Sequence, residues 1–249
     1  MTRVALVTGA AGGIGRATVE AFREEGWDVV AWDVRPWERA KEGVAFMLVD
    51  VGDETQVAAA LEQVKTRYGK LDALVNNAAV QITKPLVETT PEEWDRVHRV
   101  NLRAAYLVSR LAYPLLRAAG QAAVVHVSSV HALATSAHIA AYAASKGGLL
   151  ALTRAMAIEW APEIRVNAVL PGAVDTDMLR AGLSRGHVAG ATIEDRLQAL
   201  AARTVARRVA QPEEIAQAIL FLADPRRSSF IYGHGLVVDG GATIRLSTE

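Results

Sequence analysis

Two groups in this 249-residue chain, Tyr142 and Lys146, stand four residues apart and are of types that suit proton transfer. On a helix that spacing puts the phenol and the ammonium on one face, with Cβ atoms about 5–6 Å apart. A free phenol has a pKa of about 10, so acting as a base near neutral pH takes about three units, or roughly 4 kcal/mol of preference for the phenolate. Two unit charges at about 4 Å attract by roughly 4 kcal/mol at an effective dielectric of about 20, so Lys146 alone is a perturbation of the right size. Helix surfaces carry such pairs by chance, and this one gains weight from what stands upstream. Ser128-Ser129 ends an apolar run, Asn101 lies inside a helical pattern, and Thr8-Gly9-Ala10-Ala11-Gly12-Gly13-Ile14-Gly15 follows an apolar start.

The elements that must position these residues alternate along the chain. Short apolar runs at 4–8, 28–32, 44–49, 71–75, 123–127, 165–170 and 235–239 read as strands, and those with few charges read as buried on both faces. Helical patterns fill 13–25, 53–68, 141–160 and 211–223 between them. Thr90-Pro91-Glu92-Glu93 is a capping box with proline at the first helical position, opening a helix that runs through Asn101 to about residue 118. Asparagine is a poor helix former, so its place there predicts a local backbone distortion or a water site. The alternation predicts a single α/β domain over residues 1–249: a Rossmann-type doubly wound parallel sheet of about seven strands, with helices on both faces. Ligands in such folds sit at the carboxyl ends of the strands. The candidate residues stand at such ends or beside them.

Composition narrows the function classes. Hydrophobic residues make up 51% and charged residues 22%, a balance ordinary for a globular enzyme or binding domain. The 27 basic and 27 acidic residues cancel, so no global field recruits nucleic acid or a membrane surface. No stretch approaches the roughly 18 uncharged apolar residues of a membrane span, and Met1-Thr2-Arg3 runs straight into a strand, so a cytoplasmic protein is expected. With no cysteine and no His-x-x-x-His among six histidines, a metal centre is not expected.

The glycine pattern, Asn76-Asn77-Ala78-Ala79, Asn101, Ser129, Tyr142-x-x-x-Lys146 and Pro171-Gly172 fall in an order that closely resembles the short-chain dehydrogenase/reductase family. The resemblance runs from about Val4 to Gly241. It implies a homo-oligomeric, most simply tetrameric, NAD(P)-dependent enzyme with Asn101, Ser129, Tyr142 and Lys146 as its catalytic set. Ser129 would hydrogen-bond the substrate oxygen, Tyr142 would exchange the hydroxyl proton, Lys146 would hold the nicotinamide ribose, and Asn101 would hold a water linking Lys146 to solvent. Gly9, Gly13, Ile14 and Gly15 would let the backbone approach a pyrophosphate at a helix N-terminus. Asp50 and Val51 would lie beside the adenine and Asn77 and Ala78 against the cofactor, with Pro171, Gly172, Val174 and Thr176 gripping the nicotinamide amide.

Asp33, 18 residues beyond Gly15, is placed to accept hydrogen bonds from the adenosine ribose and to repel a 2′-phosphate, which favours NAD over NADP. Arg35, two residues on, works against that exclusion. Residues 177–210 resemble the segment that covers the substrate. Gln81 and His131 form Asn-Asn-Ala-x-x-Gln and Ser-x-His patterns similar to those of 3-hydroxybutyrate dehydrogenases, and suit a small polar alcohol: a sugar, a polyol or a hydroxy acid. Those enzymes place a lysine where this chain has Ile139, so a carboxylate would need one of the six arginines between residues 177 and 210. Two alternatives remain at this level: a 3-oxoacyl-thioester reductase-like enzyme, and a non-catalytic dinucleotide sensor on the same fold.

Overall fold

Strand β1, Val4–Thr8, is buried at every position because it lies in the middle of a parallel sheet covered on both faces. The computed structural model describes residues 2–37, 43–184 and 188–244. After β1 come α1 (Gly13–Glu24), β2 (Asp28–Asp33), β3 (Val44–Leu48), α2 (Glu54–Tyr68), β4 (Ala73–Asn76) and α3 (Pro91–His98). Then follow α4 (Ala104–Ala118), β5 (Ala122–Val127), α5 (Ala140–Trp160), β6 (Ile164–Pro171), α6 (Asp177–Leu183), α7 (Ile193–Ala201), α8 (Pro212–Ala223), α9 (Pro225–Ser228) and β7 (Gly235–Val238). The seven strands pair in the order β3-β2-β1-β4-β5-β6-β7, all parallel, so the chain winds outward from β1 in one direction and from β4 in the other.

Period-two alternation divides the core. Val4, Leu6, Val30, Trp32, Leu74, Val124 and Val166 point to one face, where they meet Val57 and Leu61 of α2, Leu107 and Leu116 of α4 and Met156 of α5. Ala5, Val7, Val29, Ala31, Val75, Val125 and Val169 point to the other, against Val19 and Phe22 of α1 and Ile215 and Ile219 of α8. The doubly wound α/β architecture is therefore as expected from the alternating runs.

Three details differ from the sequence reading. The helix expected from 90 to 118 is α3 and α4 joined by a π-helical turn, Arg99–Arg103, with buried Asn101 at its centre. Strand β4 begins at Ala73 rather than Leu71, whose N–H turns away from the sheet and donates to Leu115 O at 3.0 Å. The segment after β6 folds into α6 and α7, started by Thr176, which accepts from Leu179 N, and by a Thr192–Asp195 capping box.

One buried group ties the sheet to acidity. His126 of β5 is fully buried; its Nδ1 lies 3.2 Å from Asn76 Nδ2, which also donates to Ser109 Oγ at 2.9 Å. Asn76 donates to Nδ1, so the ring's proton sits on Nε2, a buried atom with no partner among the described residues. Burial first, and the charge of Lys146 second, push the imidazole from 6.5 down to about 3. Between those values the unfolded chain binds a proton that the folded chain refuses, so stability falls as pH drops. The slope from this group is about 1.4 kcal/mol per pH unit. Urea unfolding at pH 7 and pH 5 should show a shallower loss for His126→Gln than for the parent; equal losses would contradict this assignment.

Candidate active site

At the carboxyl ends of the strands lies a cavity of about 810 Å³. Its floor is the glycine turn between β1 and α1. Gly9 has a φ of +64°, and a Cβ there would stand 2.7 Å from Ala78 Cα, so both the conformation and the contact exclude a side chain. At Gly13 a Cβ would reach within 2.8 Å of Thr176 Cγ2. Gly12, the residue before α1, supplies no side-chain cap, and Gly13, Ile14 and Gly15 line the cavity. The turn is locked by Thr8, whose Oγ1 accepts from Asn77 N at 3.0 Å and Ala78 N at 3.1 Å. Asn77 returns the tie, its Nδ2 donating to Thr8 O and Gly9 O. Thr8 was missed by the sequence reading as more than the start of the motif; a hydroxyl at the end of a buried strand was the available signal.

Asp33 ends β2 and lines the same cavity. Its Oδ2 accepts from Ala11 N and its Oδ1 from Arg35 N, both at 2.9 Å, so the carboxylate joins the glycine turn to the strand end. Arg35 Nε stands 3.6 Å from the same Oδ1. Asp50 accepts from Gly52 N at 2.8 Å and pairs with Arg99 at 3.2 Å, and Val51 follows it into the wall. Pro171, Gly172, Val174 and Thr176 line the opposite side. A narrow glycine cradle, an uncapped helix start and a carboxylate at the second strand end suit a dinucleotide: backbone N–H groups for the pyrophosphate, an acid for ribose hydroxyls.

Ser129, Tyr142 and Lys146 come together on the wall. Strand β5 delivers Ser129, and α5 presents Tyr142 and Lys146 one turn apart; the Ser129 side chain hydrogen-bonds the phenol and its Oγ accepts from His131 N at 3.2 Å. The adjacent Ser128 instead turns inward, donating to Lys146 O at 2.9 Å. Lys146 is 2% exposed, donates from Nζ to Val127 O at 2.7 Å and lies 5.5 Å from the centre of the Tyr142 ring. Asn101 does not reach the cavity wall. It is buried, with Oδ1 accepting from Val80 N at 2.8 Å and Nδ2 donating to Val80 O at 2.9 Å and Ser145 Oγ at 3.1 Å. Ser145, which the sequence reading passed over, donates in turn to Tyr142 O at 2.7 Å, linking the π-turn to α5.

The electrostatics correct one expectation. Burial pushes the Tyr142 phenol up to about 12, with the Ser129 hydrogen bond opposing it, whereas the Coulomb argument from Lys146 placed it lower. Burial also pushes Lys146 down to about 7, so near neutrality it is only partly charged and its first contact is the Val127 carbonyl. The pair argument omitted the desolvation of both members.

Gln81 and His131 both line the cavity, the His131 ring meeting Tyr142 edge-on at 6.0 Å between centroids. Ile139, by contrast, is buried in front of α5. The arginines expected from 177–210 do not line the cavity among the described residues. Arg180 pairs with Asp175 and Glu194, Arg196 donates to Leu183 O and Gly190 O, and Arg208 pairs with Glu214, while Arg185 lies outside the described residues. That segment contributes Asp177, Met178, Leu179, Ala181 and Gly182 instead.

Residues 9–243 match the family described as enoyl-(acyl carrier protein) reductase. Over 252 residues the chain is 37% identical to the cyclopentanol dehydrogenase of Comamonas testosteroni, covering 97% of each chain. The chain belongs to the short-chain dehydrogenase/reductase family. Over 251 residues it is 40% identical to the cis-4-hydroxycyclohexanecarboxylate dehydrogenase of Sinomonas cyclohexanicum, covering 97% of this chain and 96% of that one. Its fold matches that of the Thermoplasma acidophilum aldohexose dehydrogenase in ligand-free form with a TM-score of 0.93 at 34% identity, covering 99% and 96% of the two chains. Like other short-chain dehydrogenases, it is an oxidoreductase acting on CH–OH groups with a nicotinamide dinucleotide.

Proposed function

We propose that this short-chain dehydrogenase interconverts a small polar secondary alcohol and its ketone with NAD, Tyr142 exchanging the hydroxyl proton. The observation that carries the reading is the convergence of Ser129, Tyr142 and Lys146 on one cavity that also contains the glycine cradle and Asp33. The cofactor supplies a hydride acceptor or donor at its nicotinamide. Gly9, Gly13, Ile14, Gly15, Asp33, Asp50, Val51, Asn77, Ala78, Tyr142, Lys146, Pro171, Gly172, Val174 and Thr176 are the residues assigned to hold it.

In oxidation, Ser129 orients the alcohol oxygen and the Tyr142 oxygen takes its proton; in reduction Tyr142 returns it. Since burial raises the phenol, the phenolate depends on the Ser129 hydroxyl and on the charge that Lys146 carries nearby when protonated. Asn101 acts through position, holding the Val80 turn and Ser145 in register with α5. Asp33 supports NAD: a 2′-phosphate would meet its carboxylate, and the neighbouring Arg35 already shares its charge with that carboxylate.

The ring alcohols and sugar in the relatives' names support a small polar substrate, with Gln81 and His131 as its hydrogen-bonding partners and residues 177–210 as its cover. A 3-oxoacyl-thioester reductase is the second reading, supported by 35% identity over 252 residues to the 3-oxoacyl-(acyl-carrier-protein) reductase of Thermotoga maritima. We read the enzyme as a cytoplasmic homotetramer; exposed apolar side chains such as Ile158 on α5 and Phe230 before β7 support association. No helix among the described residues is long and apolar enough to cross a membrane.

The test is a panel of cyclic alcohols, aldohexoses, hydroxy acids and acyl thioesters assayed with NAD(H) and NADP(H), on the parent and on Asp33→Ser. Turnover of the small alcohols with a preference for NAD that narrows in the variant is expected. Activity confined to thioesters, or tighter binding of NADPH than NADH by the parent, would contradict it.

A further inference from the structure

Among the described residues, four basic side chains border the cavity: Arg35, Arg96, Arg99 and Lys146. Three are engaged within the protein, Arg35 with Asp33, Arg99 with Asp50, and Lys146 with the Val127 carbonyl. Arg96, on the exposed side of α3, has no ion pair or side-chain hydrogen bond among the described residues. The two acids one turn before it are taken. Glu93 accepts from Lys84 Nζ at 2.6 Å and from Thr90 N at 3.0 Å, and Glu92 hydrogen-bonds Thr90.

Two clamps fix where Arg96 stands. Glu93 meets Lys84 and, two turns later, Asn101 meets both backbone groups of Val80, so this helical stretch runs antiparallel beside residues 80–84. The row 93, 97, 101 faces that segment, with Val97 fully buried; the adjoining row, Arg96 and Val100, borders the cavity. Arg96 is therefore level with the middle of the segment, beside Gln81 and Thr83, which share the cavity wall. That is beyond Asn77 and Ala78, the residues assigned to the cofactor.

A guanidinium offers a planar fork of donors matched to a carboxylate, and the neighbouring Gln81 and His131 can add hydrogen bonds while Arg96 meets the acid's charge; Asp177 of α6 lines the same cavity, so the acid group has to face α3. We propose that Arg96 receives a carboxylate on the substrate, so that the preferred alcohols are hydroxy acids held with the carbinol at Ser129 and Tyr142 and the acid group toward α3. The proposal rests on the alcohol dehydrogenase reading above and selects among its substrates. It replaces the arginine expected from 177–210 with one from the opposite wall.

Two readouts test it on the protein saturated with NAD, in the parent, Arg96→Gln and Arg96→Lys. Calorimetry compares cyclohexanecarboxylate with cyclohexanecarboxamide, and kinetics compare 4-hydroxycyclohexanecarboxylate with cyclohexanol. The parent should favour the acid in each pair. Arg96→Gln should cut that preference by about tenfold, the lower end for a charge-assisted hydrogen bond because the site is open to water. Arg96→Lys should keep part of it. An acid preference unchanged in Arg96→Gln overturns the proposal, as does a loss equal for acid and neutral partners together with weaker NAD binding, which assigns Arg96 to a cofactor phosphate. A parent that binds the acid through Arg96 but oxidises no alcohol sinks the dehydrogenase reading and, with it, the substrate assignment, leaving only the carboxylate site. A parent that oxidises alcohols without favouring acids overturns the proposal and leaves the dehydrogenase reading standing.

Discussion

Tyr142→Phe is expected to lower alcohol oxidation by about 10²–10⁴-fold, the range that positioned acid/base catalysis supplies. The ring is nearly buried and its contacts are retained by phenylalanine, so the variant should fold and bind NADH like the parent by fluorescence titration. Only the oxygen that meets Ser129 is lost. The parent's pH profile carries the same information. Oxidation needs the phenol without its proton, and burial holds that proton up to about 12, so oxidation should accelerate as pH rises through the alkaline range. Reduction needs the proton and should slow over the same range. Both limbs should vanish in Tyr142→Phe. Turnover within a few fold of the parent would remove Tyr142 from the mechanism.

Arg165→Met should cost about 3–5 kcal/mol of stability, since it leaves several buried carbonyls unpaired at about 1–3 kcal/mol each. Arg165 is 4% exposed in β6, beneath the end of α8. Its Nη1 donates to Leu222 O at 2.7 Å and to Ser228 O at 3.1 Å, and its Nη2 donates to Ala223 O at 3.0 Å. These are carbonyls that a helix C-terminus leaves unpaired, so one guanidinium satisfies an end that no water reaches. Burial lowers its pKa, with Tyr232 and Asp224 opposing, yet the charge is retained because every donor direction named finds a carbonyl. Methionine fills much of the volume and none of the hydrogen bonds. For a chain of this size the melting temperature should fall by roughly 6–20 °C. A loss below about 1 kcal/mol in urea unfolding would show that the carbonyls find other partners.

Features set by neighbouring residues were legible in the sequence, and features set by packing were not. The apolar run 4–8, the glycine turn and the Thr90 capping box are local, and each forms where its residues predict. Asn101 advertised a backbone distortion through its poor helix propensity, and a π-turn is centred on it. Its burial away from the cavity wall was not readable, because that depends on how the π-turn rotates the helix against Val80. Arg96 was passed over for the same reason: its access to the cavity follows from the clamp between Lys84 and Glu93, which are nine residues apart on separate elements. The Tyr142–Lys146 pair was legible as a pair, while the sign of the phenol's shift was not, since a two-charge estimate contains no burial. The helices within residues 177–210 were not read from the sequence; the available signals were Thr176 and Thr192, whose side chains cap α6 and α7.

The central claim, hydride transfer from a carbinol carbon at the Ser129–Tyr142 pair, is tested most directly by isotope. A secondary alcohol carrying deuterium on the carbinol carbon is oxidised with NAD, and the reduced cofactor is examined by mass spectrometry and NMR. The account predicts deuterium on C4 of the nicotinamide, from one face only, and slower oxidation than with the protium alcohol under single-turnover conditions. Deuterium appearing in solvent water, with none on the nicotinamide, would contradict it.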